Sequence, residues 1–237
     1  MKKNLIFGAT GSIGSALVKK LYNNGDDCHL VGRQAGLLKE MSEKFNYNYS
    51  VCDVLNLDHL EEFSKELSET DVSGIAYCIG SIDLKPFWET EAKDFISSFA
   101  LNLVSVTDIL KMFETSLKKN NGSVVLFSTI AARKGFSNHS IISASKSALE
   151  GLSVALAAEF APNIRVNCIA PSLTKSKMAK NLIKNSKIEE SIAKLHPLKR
   201  IGEGVDVANL AHFLLSKNSS WITGQIIGVD GGRAAIA

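Results

Sequence analysis

Short apolar runs alternate with longer amphipathic stretches along the chain. "NLIFGA" precedes "SIGSALVKKLYNNG", "CHLVGR" precedes "AGLLKEMSEKF", and "YSVCDV" precedes "LDHLEEFSKELSE". Strands that alternate with helices in this way form a parallel sheet with helices on both faces. Further strands are expected at "VSGIAYCIG", "GSVVLFS", "IRVNCIA" and "GQIIGVDGG". The pattern therefore predicts an α/β protein with a doubly wound, seven-stranded parallel sheet in one domain, residues 1–237.

Three longer segments complete the predicted architecture. Helical patterns cover residues 91–119 and 143–160, and the second is small and apolar around most of its circumference. A helix of that kind packs on both sides, so one side is expected to face another subunit. Residues 172–190 are rich in Lys, Ser and Asn and are expected to form a mobile loop with a helical turn or two.

Composition and charge narrow the function classes. The net charge of +3 comes from 27 basic and 24 acidic residues without a basic block, which argues against a nucleic-acid or membrane partner. The four cysteines lie far apart in apolar runs, so they suggest buried thiols rather than a disulfide framework or a metal site. The N-terminal apolar run is too short for a signal peptide, and no segment approaches the ~20 apolar residues of a membrane span. We expect a cytoplasmic protein.

A glycine-rich turn follows the first predicted strand. "LIFGATGSIGSALV" places Gly8, Gly11 and Gly14 between that strand and an amphipathic helix. Glycine permits a tight turn, a close approach of backbone to a pyrophosphate and close packing of helix on strand. The helix N-terminus then offers free N–H groups to the phosphates. This setting favours dinucleotide binding by a Rossmann fold.

The end of the second predicted strand bears on the choice of dinucleotide. NAD sites usually carry an acid there for the ribose 2′-hydroxyl, whereas an Arg accommodates the phosphate of NADP. The strand ends "CHLVGR", so Gly32 stands at the acid's position and Arg33 follows it. We therefore predict NADP(H).

Several motifs together resemble the short-chain dehydrogenase/reductase family over the full length of the chain. They are "GATGSIG", "CDV" with Asp53, Asn102 in "FALNLVSV", "IRVNCIAPSLTKSKM" and the ending from "HPLKRIG" to "VDGG". The ending is most similar to β-ketoacyl-ACP reductases. Two positions depart from the family pattern: Ser12 stands at the usual middle glycine, and "YCIG" replaces N-N-A-G. The resemblance implies cofactor contacts at Gly8, Thr10, Gly11, Ser12, Ile13, Gly14, Arg33, Asp53, Val54, Gly80, Lys146, Pro171 and Ser176.

The catalytic group that the resemblance implies is incomplete. Family members use a Ser that orients the carbonyl, a Tyr that donates the proton, a Lys one turn later and an Asn. Lys146 and Asn102 match, and Ser128 or Thr129 supplies the hydroxyl, Thr129 having the commoner spacing of thirteen residues to position 142. The tyrosine position is Ile142. All four tyrosines of the chain precede this region.

Three interpretations of Ile142 follow. In the first, the protein reduces a carbonyl, 3-oxoacyl-like or another small ketone, or acts as an enoyl-type reductase. The proton then comes from His139, seven residues before Lys146 as in enoyl reductases, with Ser140 and Ser143 nearby. In the second, the protein binds NADP(H) without turnover, as a sensor or as a subunit of a mixed oligomer. In the third, the substrate needs no enzyme-derived proton, or water near Asn102 and Lys146 supplies it.

The resemblance also bears on substrate and assembly. It implies a small-molecule substrate, an acyl thioester among the candidates, and a homotetramer or homodimer formed through the long helices and the C-terminal strand. Substrate identity is expected to depend on residues 172–190 and on "SIDLKPFWET", where Phe87 and Trp88 either line a pocket or pack.

Overall fold

The apolar runs form the strands of one sheet in the computed structural model, which describes residues 2–183 and 185–236. The strands are β1 (Lys3–Phe7), β2 (Cys28–Gly32), β3 (Tyr49–Val51), β4 (Val72–Tyr77), β5 (Ser123–Phe127), β6 (Arg165–Pro171) and β7 (Ile226–Val229). All pair in parallel, in the order β3-β2-β1-β4-β5-β6-β7. The predicted doubly wound seven-stranded sheet is confirmed.

Within residues 2–183 and 185–236, eight α-helices connect or follow these strands. They are α1 (Ser12–Asn24), α2 (Ala35–Phe45), α3 (Leu57–Glu66), α4 (Ala92–Phe99), α5 (Ser105–Lys119), α6 (Ser140–Phe160), α7 (Ser186–Lys194) and α8 (Gly204–Leu215). One buried cluster joins the sheet to α3, α5 and α6, and the other joins it to α1, α2 and α8. Strands buried on both faces explain why their sequences are apolar throughout rather than alternating.

The strand order determines where a ligand can bind. The chain moves outward from β1 to β3 on one side of the sheet and then crosses to β4 on the other side of β1. Connections on the two sides of such a switch point diverge, which leaves a crevice at the carboxyl ends of β1 and β4. The glycine turn after β1 and the "CIG" segment after β4 lie at this crevice.

Three segments differ in detail from the sequence expectations. The helix expected over 91–119 is interrupted by a π-helical turn at Ala100–Val104, and α6 begins at Ser140 rather than 143. The expected loop at 172–190 contains a 3-10 turn, Met178–Asn181, and the first half of α7.

We expected no segment long and apolar enough to span a membrane. Judged by length and composition alone, that expectation was wrong. Residues 92–119 and 140–160 both meet that criterion. Both segments pack onto the sheet, and α4 packs on α6. This is the position of core helices in a sheet-based protein, whose inner sides serve the interior of the fold, whereas Ile96, Val104 and Val154 are exposed on their outer sides.

The cysteines are free thiols, as expected. Cys28 and Cys168 are buried within β2 and β6, and Cys52 is buried just after β3. Cys78 departs from the expectation of full burial, since it is partly exposed and lies after β4 in the crevice.

Candidate active site

The glycine turn packs strand β1 tightly against helix α1. Gly8 has φ of +75°, and a Cβ at Gly14 would lie 2.2 Å from the Gly8 carbonyl oxygen. The Gly11 amide donates to that same oxygen at 2.9 Å, and Gly11 is the N-cap of α1 without a side chain to occupy the helix end. The backbone is therefore open to a ligand at the helix N-terminus, which suits a pyrophosphate. A dinucleotide fits this cradle.

Lys146 and Asn102 meet beneath Gly80, at the end of β4. A Cβ at Gly80 would lie 3.2 Å from Asn102 Oδ1 and 3.4 Å from Lys146 Nζ. Lys146 is the seventh residue of α6, and its ammonium donates to the Phe127 carbonyl oxygen at 2.8 Å. Strand β4, strand β5, the π turn and α6 thus bring these polar groups together in the interior.

The Lys146 ammonium is held in an unfavourable environment for a charge. The residue is only 6% exposed, and burial lowers its pKa from 10.5 to about 8, with a small opposing effect from the Cys168 thiol. A buried lysine of lowered pKa at a crevice is typical of functional sites.

Asn102 is fully buried in the π turn. Its Nδ2 donates to the Ser98 carbonyl oxygen at 2.9 Å, and the Ser98 hydroxyl bonds that of Ser145 at 2.8 Å. Within residues 2–183 and 185–236, Asn102 Oδ1 has no hydrogen-bond partner. Because π turns often mark functional sites and buried polar atoms are normally paired, this oxygen fits a role in binding a ligand or a water beside Lys146.

The two candidate hydroxyls after β5 have different partners. The Ser128 hydroxyl donates to Glu150 Oε1 at 2.8 Å, and Glu150 is buried and paired with Arg133 at 2.6 Å. The Thr129 Oγ1 accepts from the Ala131 amide at 3.2 Å, which leaves its own proton available. Ser128 is therefore engaged in the core, whereas Thr129 can donate into the crevice.

A cavity of about 390 Å³ joins these groups. It extends from the glycine turn, residues 11–13, past the ends of β4 and β5 to α6 and the segment after β6. Of the candidate site residues, Gly80, Thr129, His139, Pro171 and Ser176 line it. Asn102 lies behind its wall, whereas Lys146 lines it directly.

The segment after β6 is fastened to the glycine turn. The Ser12 hydroxyl donates to the Lys175 carbonyl oxygen at 2.6 Å. The Ser176 hydroxyl, just before the 3-10 turn, accepts from the Ala179 amide within that turn at 3.1 Å. These bonds hold the segment over the mouth of the cavity.

Arg33 and Asp53 lie at the other end of the crevice, beyond β2 and β3. The Arg33 guanidinium is 71% exposed, and its Nη1 is 3.7 Å from Asp53 Oδ2. Asp53 also accepts from the Leu55 amide, and Val54 is buried beside it. The exposed guanidinium is free to rotate toward an anion, since a long surface ion pair is weak.

Ile142 and His139 form the α6 side of the cavity. Ile142 is 5% exposed and presents an apolar surface one turn before Lys146. His139 is partly exposed, stacks near Phe136, and its Nδ1 is 2.7 Å from the Ser137 carbonyl oxygen. Because a carbonyl only accepts, Nδ1 carries the hydrogen and Nε2 is left for proton exchange.

Several residues of the cavity were missed by the sequence analysis. Ser172 follows β6 and bonds His196 at 2.8 Å, and Arg233 lies over the Phe136 ring at 5.0 Å with its pKa lowered by burial. Both Ser172 and Arg233 line the cavity. These residues lie far apart in sequence, and only the parallel sheet brings the ends of β6 and β7 together.

Fold and site together define a Rossmann-type, NAD(P)-dependent oxidoreductase. A family model described as enoyl-(acyl carrier protein) reductase matches residues 8–234. The chain belongs to the short-chain dehydrogenase/reductase family. A tropinone reductase homolog from Arabidopsis thaliana is 32% identical to it over 98% of this chain and 91% of that protein.

Solved structures agree with this assignment. A short-chain type dehydrogenase/reductase from Mycobacterium ulcerans superposes with a TM-score of 0.91 at 27% identity, over 98% of this chain and 90% of that one. A candidate NAD(P)-dependent gluconate 5-dehydrogenase from Beutenbergia cavernae, with NADP bound at low occupancy, superposes with a TM-score of 0.92 at 25% identity. The match covers 99% of this chain and 97% of that one.

Proposed function

We propose that the protein is an NADP(H)-dependent reductase of a small carbonyl compound, 3-oxoacyl-like or another small ketone, with an active site that works without the family's tyrosine. The observation that carries the proposal is the continuous cavity from the glycine turn to Lys146 and Thr129. When bound, a reduced nicotinamide cofactor supplies hydride to the substrate carbon. The glycine turn holds the phosphates, Lys146 holds the ribose with Asn102 behind it, and Thr129 orients the carbonyl oxygen.

The preference for NADP(H) rests on Arg33. Its exposed guanidinium lies 3.7 Å from Asp53, and a guanidinium binds a phosphate through paired hydrogen bonds. The test is fluorescence titration of the protein with NADPH and NADH. NADPH should bind at least ~10-fold more tightly, a difference of about 1.4 kcal/mol, and Arg33→Ala should remove that difference. Equal affinities in the unaltered protein would refute the preference.

Turnover is tested with a panel of ketones and acetoacetyl thioesters, following the loss of NADPH absorbance. Ile142→Tyr is an informative variant, because it restores a phenol one turn before Lys146 and should raise carbonyl reduction. Tight NADPH binding without turnover on any carbonyl, in both proteins, would favour the alternative of a silent NADP(H)-binding sensor or partner subunit.

An enoyl-type reductase is the second candidate. It is supported by the family model's description, by the apolar Ile142 wall and by the position of His139 on the cavity. In the reduction of a carbon–carbon double bond, the hydride acceptor is a carbon atom of that bond. The reaction therefore tolerates an apolar residue such as Ile142 where a carbonyl reductase would carry its proton donor. Enoyl thioesters in the same panel separate the two reactions, and loss of enoyl reduction in His139→Ala would assign the proton to that histidine.

We further propose a cytoplasmic homodimer or homotetramer that associates through the long helices. Ile96, Val104 and Val154 are exposed on this part of the surface, between 47% and 69%. Apolar side chains exposed together favour association. Light scattering after size exclusion gives the mass directly, and a monomer at micromolar concentration would refute the proposal.

A further inference from the structure

A serine and a histidine outside the family's catalytic group meet at the cavity. Ser172 follows β6 directly, is 9% exposed and lines the cavity. Its hydroxyl lies 2.8 Å from Nε2 of His196, which is 1% exposed. The Ser172 amide donates to the Val229 carbonyl oxygen at 3.2 Å, so β7 fixes the backbone that carries this hydroxyl.

The second nitrogen of His196 determines how the pair handles a proton. Nδ1 is 2.9 Å from the Ile192 carbonyl oxygen near the end of α7. Because a carbonyl can only accept, Nδ1 keeps its hydrogen in both protonation states. Protonation therefore changes Nε2 alone, the atom that faces Ser172. In the neutral form Ser172 donates to Nε2, whereas in the imidazolium Nε2–H donates to Ser172 and releases the serine proton toward the cavity.

Three other groups that line the cavity, Ser128, Lys146 and Thr129, are less suited to this step. The Ser128 hydroxyl is bonded to Glu150, and Lys146 is assigned to the cofactor ribose in the function proposed above. The Thr129 hydroxyl accepts from the Ala131 amide, which cannot replace a proton that the hydroxyl gives up. Among the described hydroxyl side chains of the cavity, Ser172 is the one bonded to an imidazole.

We propose that Ser172 and His196 form a proton relay that serves in place of the missing phenol, given the carbonyl reduction proposed above. As the substrate carbon accepts hydride from the reduced nicotinamide, the Ser172 O–H bond breaks and its proton joins the carbonyl oxygen. The Nε2–H bond of the imidazolium breaks in turn and restores the serine hydroxyl. The products are an alcohol, oxidised cofactor and neutral His196, which regains its proton from water in the cavity through the Ser172 hydroxyl before the next turnover. Ser172 is the catalytic residue, and His196 acts through it.

The first test needs no substrate. Nitrogen-15 NMR of the histidines in the ligand-free protein should find His196 with hydrogen on Nδ1 and an Nε2 resonance shifted by its bond to serine. Ser172→Ala should move that resonance, whereas Ser191→Ala, which removes an exposed hydroxyl from the same helix α7, should not. A His196 resonance that ignores Ser172→Ala, or a hydrogen on Nε2 alone in the neutral form, would overturn the relay.

The second test uses turnover of the carbonyl substrate. Ser172→Ala and His196→Gln should each lower kcat by ~100-fold, the lower range for general acid catalysis, with the KM of substrate and the Kd of NADPH unchanged. The double variant should lose no more than either single variant, since both residues serve one step. Ser172→Thr, which keeps a hydroxyl, should retain most of kcat.

The two proposals fail differently. If the unaltered protein reduces a ketone and Ser172→Ala does so at the same rate, the relay is wrong and the proposed function stands. If the unaltered protein binds NADPH but reduces no carbonyl, the proposed function is wrong and the relay falls with it. If Ser172→Ala raises KM and leaves kcat unchanged, Ser172 is a binding residue. That result would also overturn the relay.

Discussion

Replacing Lys146 by methionine should stabilise the folded protein. Burial lowers the pKa of Lys146 from 10.5 to about 8, and one pKa unit corresponds to about 1.4 kcal/mol. Keeping the charge inside the protein therefore costs about 3 kcal/mol relative to the unfolded chain. Methionine has a similar length and no charge, but it loses the hydrogen bond to Phe127, worth about 1 kcal/mol. The net gain expected at pH 7 is about 2 kcal/mol.

The pH dependence follows from the direction of the shift. Because the folded state holds this proton less tightly than the unfolded chain, the cost is complete below about pH 8 and disappears as the pH rises toward 10.5. The free energy of unfolding of the unaltered protein should therefore rise relative to Lys146→Met, by about 2 kcal/mol between pH 8 and 9.5. Other groups that titrate in this range are common to both proteins and cancel in the difference.

The measurement is urea unfolding followed by circular dichroism at about pH 7, 8 and 9.5 without ligand. Lys111→Met, which removes an exposed lysine of α5, is the matched control and should change stability little at any pH. A Lys146→Met protein that is less stable than the unaltered one at pH 7, or a difference that stays constant to pH 9.5, would refute the reasoning.

Three further variants probe the packing behind the site. Gly14→Ala should lower the free energy of unfolding by about 3 kcal/mol and weaken NADPH binding, because the new Cβ would lie 2.2 Å from the Gly8 carbonyl oxygen in a packed turn. Thermal unfolding measures the first loss, and NADPH titration measures the second. Glu150→Ala should cost about 2 kcal/mol in urea unfolding, since Arg133 and the Ser128 hydroxyl lose their buried acceptor. His29→Gln should flatten the acid side of the stability curve. Burial, and to a smaller extent the charge of Lys3, lowers the His29 pKa from 6.5 to about 4. The free energy of unfolding of the unaltered protein therefore decreases by about 3 kcal/mol as the pH falls from 6.5 to 4.

Each of these has a counter-result. Gly36→Ala places a methyl where nothing lies within 4 Å, so equal losses in Gly36→Ala and Gly14→Ala would deny the role of the close contact. Glu150→Gln keeps an acceptor for Ser128 and should lose less than Glu150→Ala. An acid limb of unchanged slope in His29→Gln would mean that another group controls it.

The strands could be predicted from sequence because a strand covered on both faces is apolar throughout. All seven expected runs are strands, and the helices that alternate with them cover both faces of the sheet. The glycine turn was recognisable for a related reason. A close backbone approach excludes side chains, so the requirement at Gly14 is recorded in the residue type itself.

The rest of the site depends on pairings that no local pattern carries. Ser172 and His196 are separated by 24 residues. Ser172 lies in the segment expected to be a loop and His196 lies beyond it, and in the sequence each resembles an ordinary polar residue. Glu150 lies in an apolar helix, where its buried partners Ser128 and Arg133 come from the end of β5. Helical periodicity could not predict the π turn around Asn102, because one extra residue in a turn hardly changes the pattern of apolar positions over 28 residues.

Lys146 and Ser172 bear on two different questions about this chain. A protein that bound no nucleotide would gain about 2 kcal/mol by losing the Lys146 charge, so its retention argues for a ligand that uses a buried ammonium. A silent NADP(H) binder would satisfy that argument as well as an enzyme would. The bond between Ser172 and His196 is different, because holding a ribose or a phosphate requires no exchangeable proton at the cavity wall. A loss of turnover in Ser172→Ala with NADPH affinity intact would therefore identify catalysis, whereas Lys146→Met should lose both.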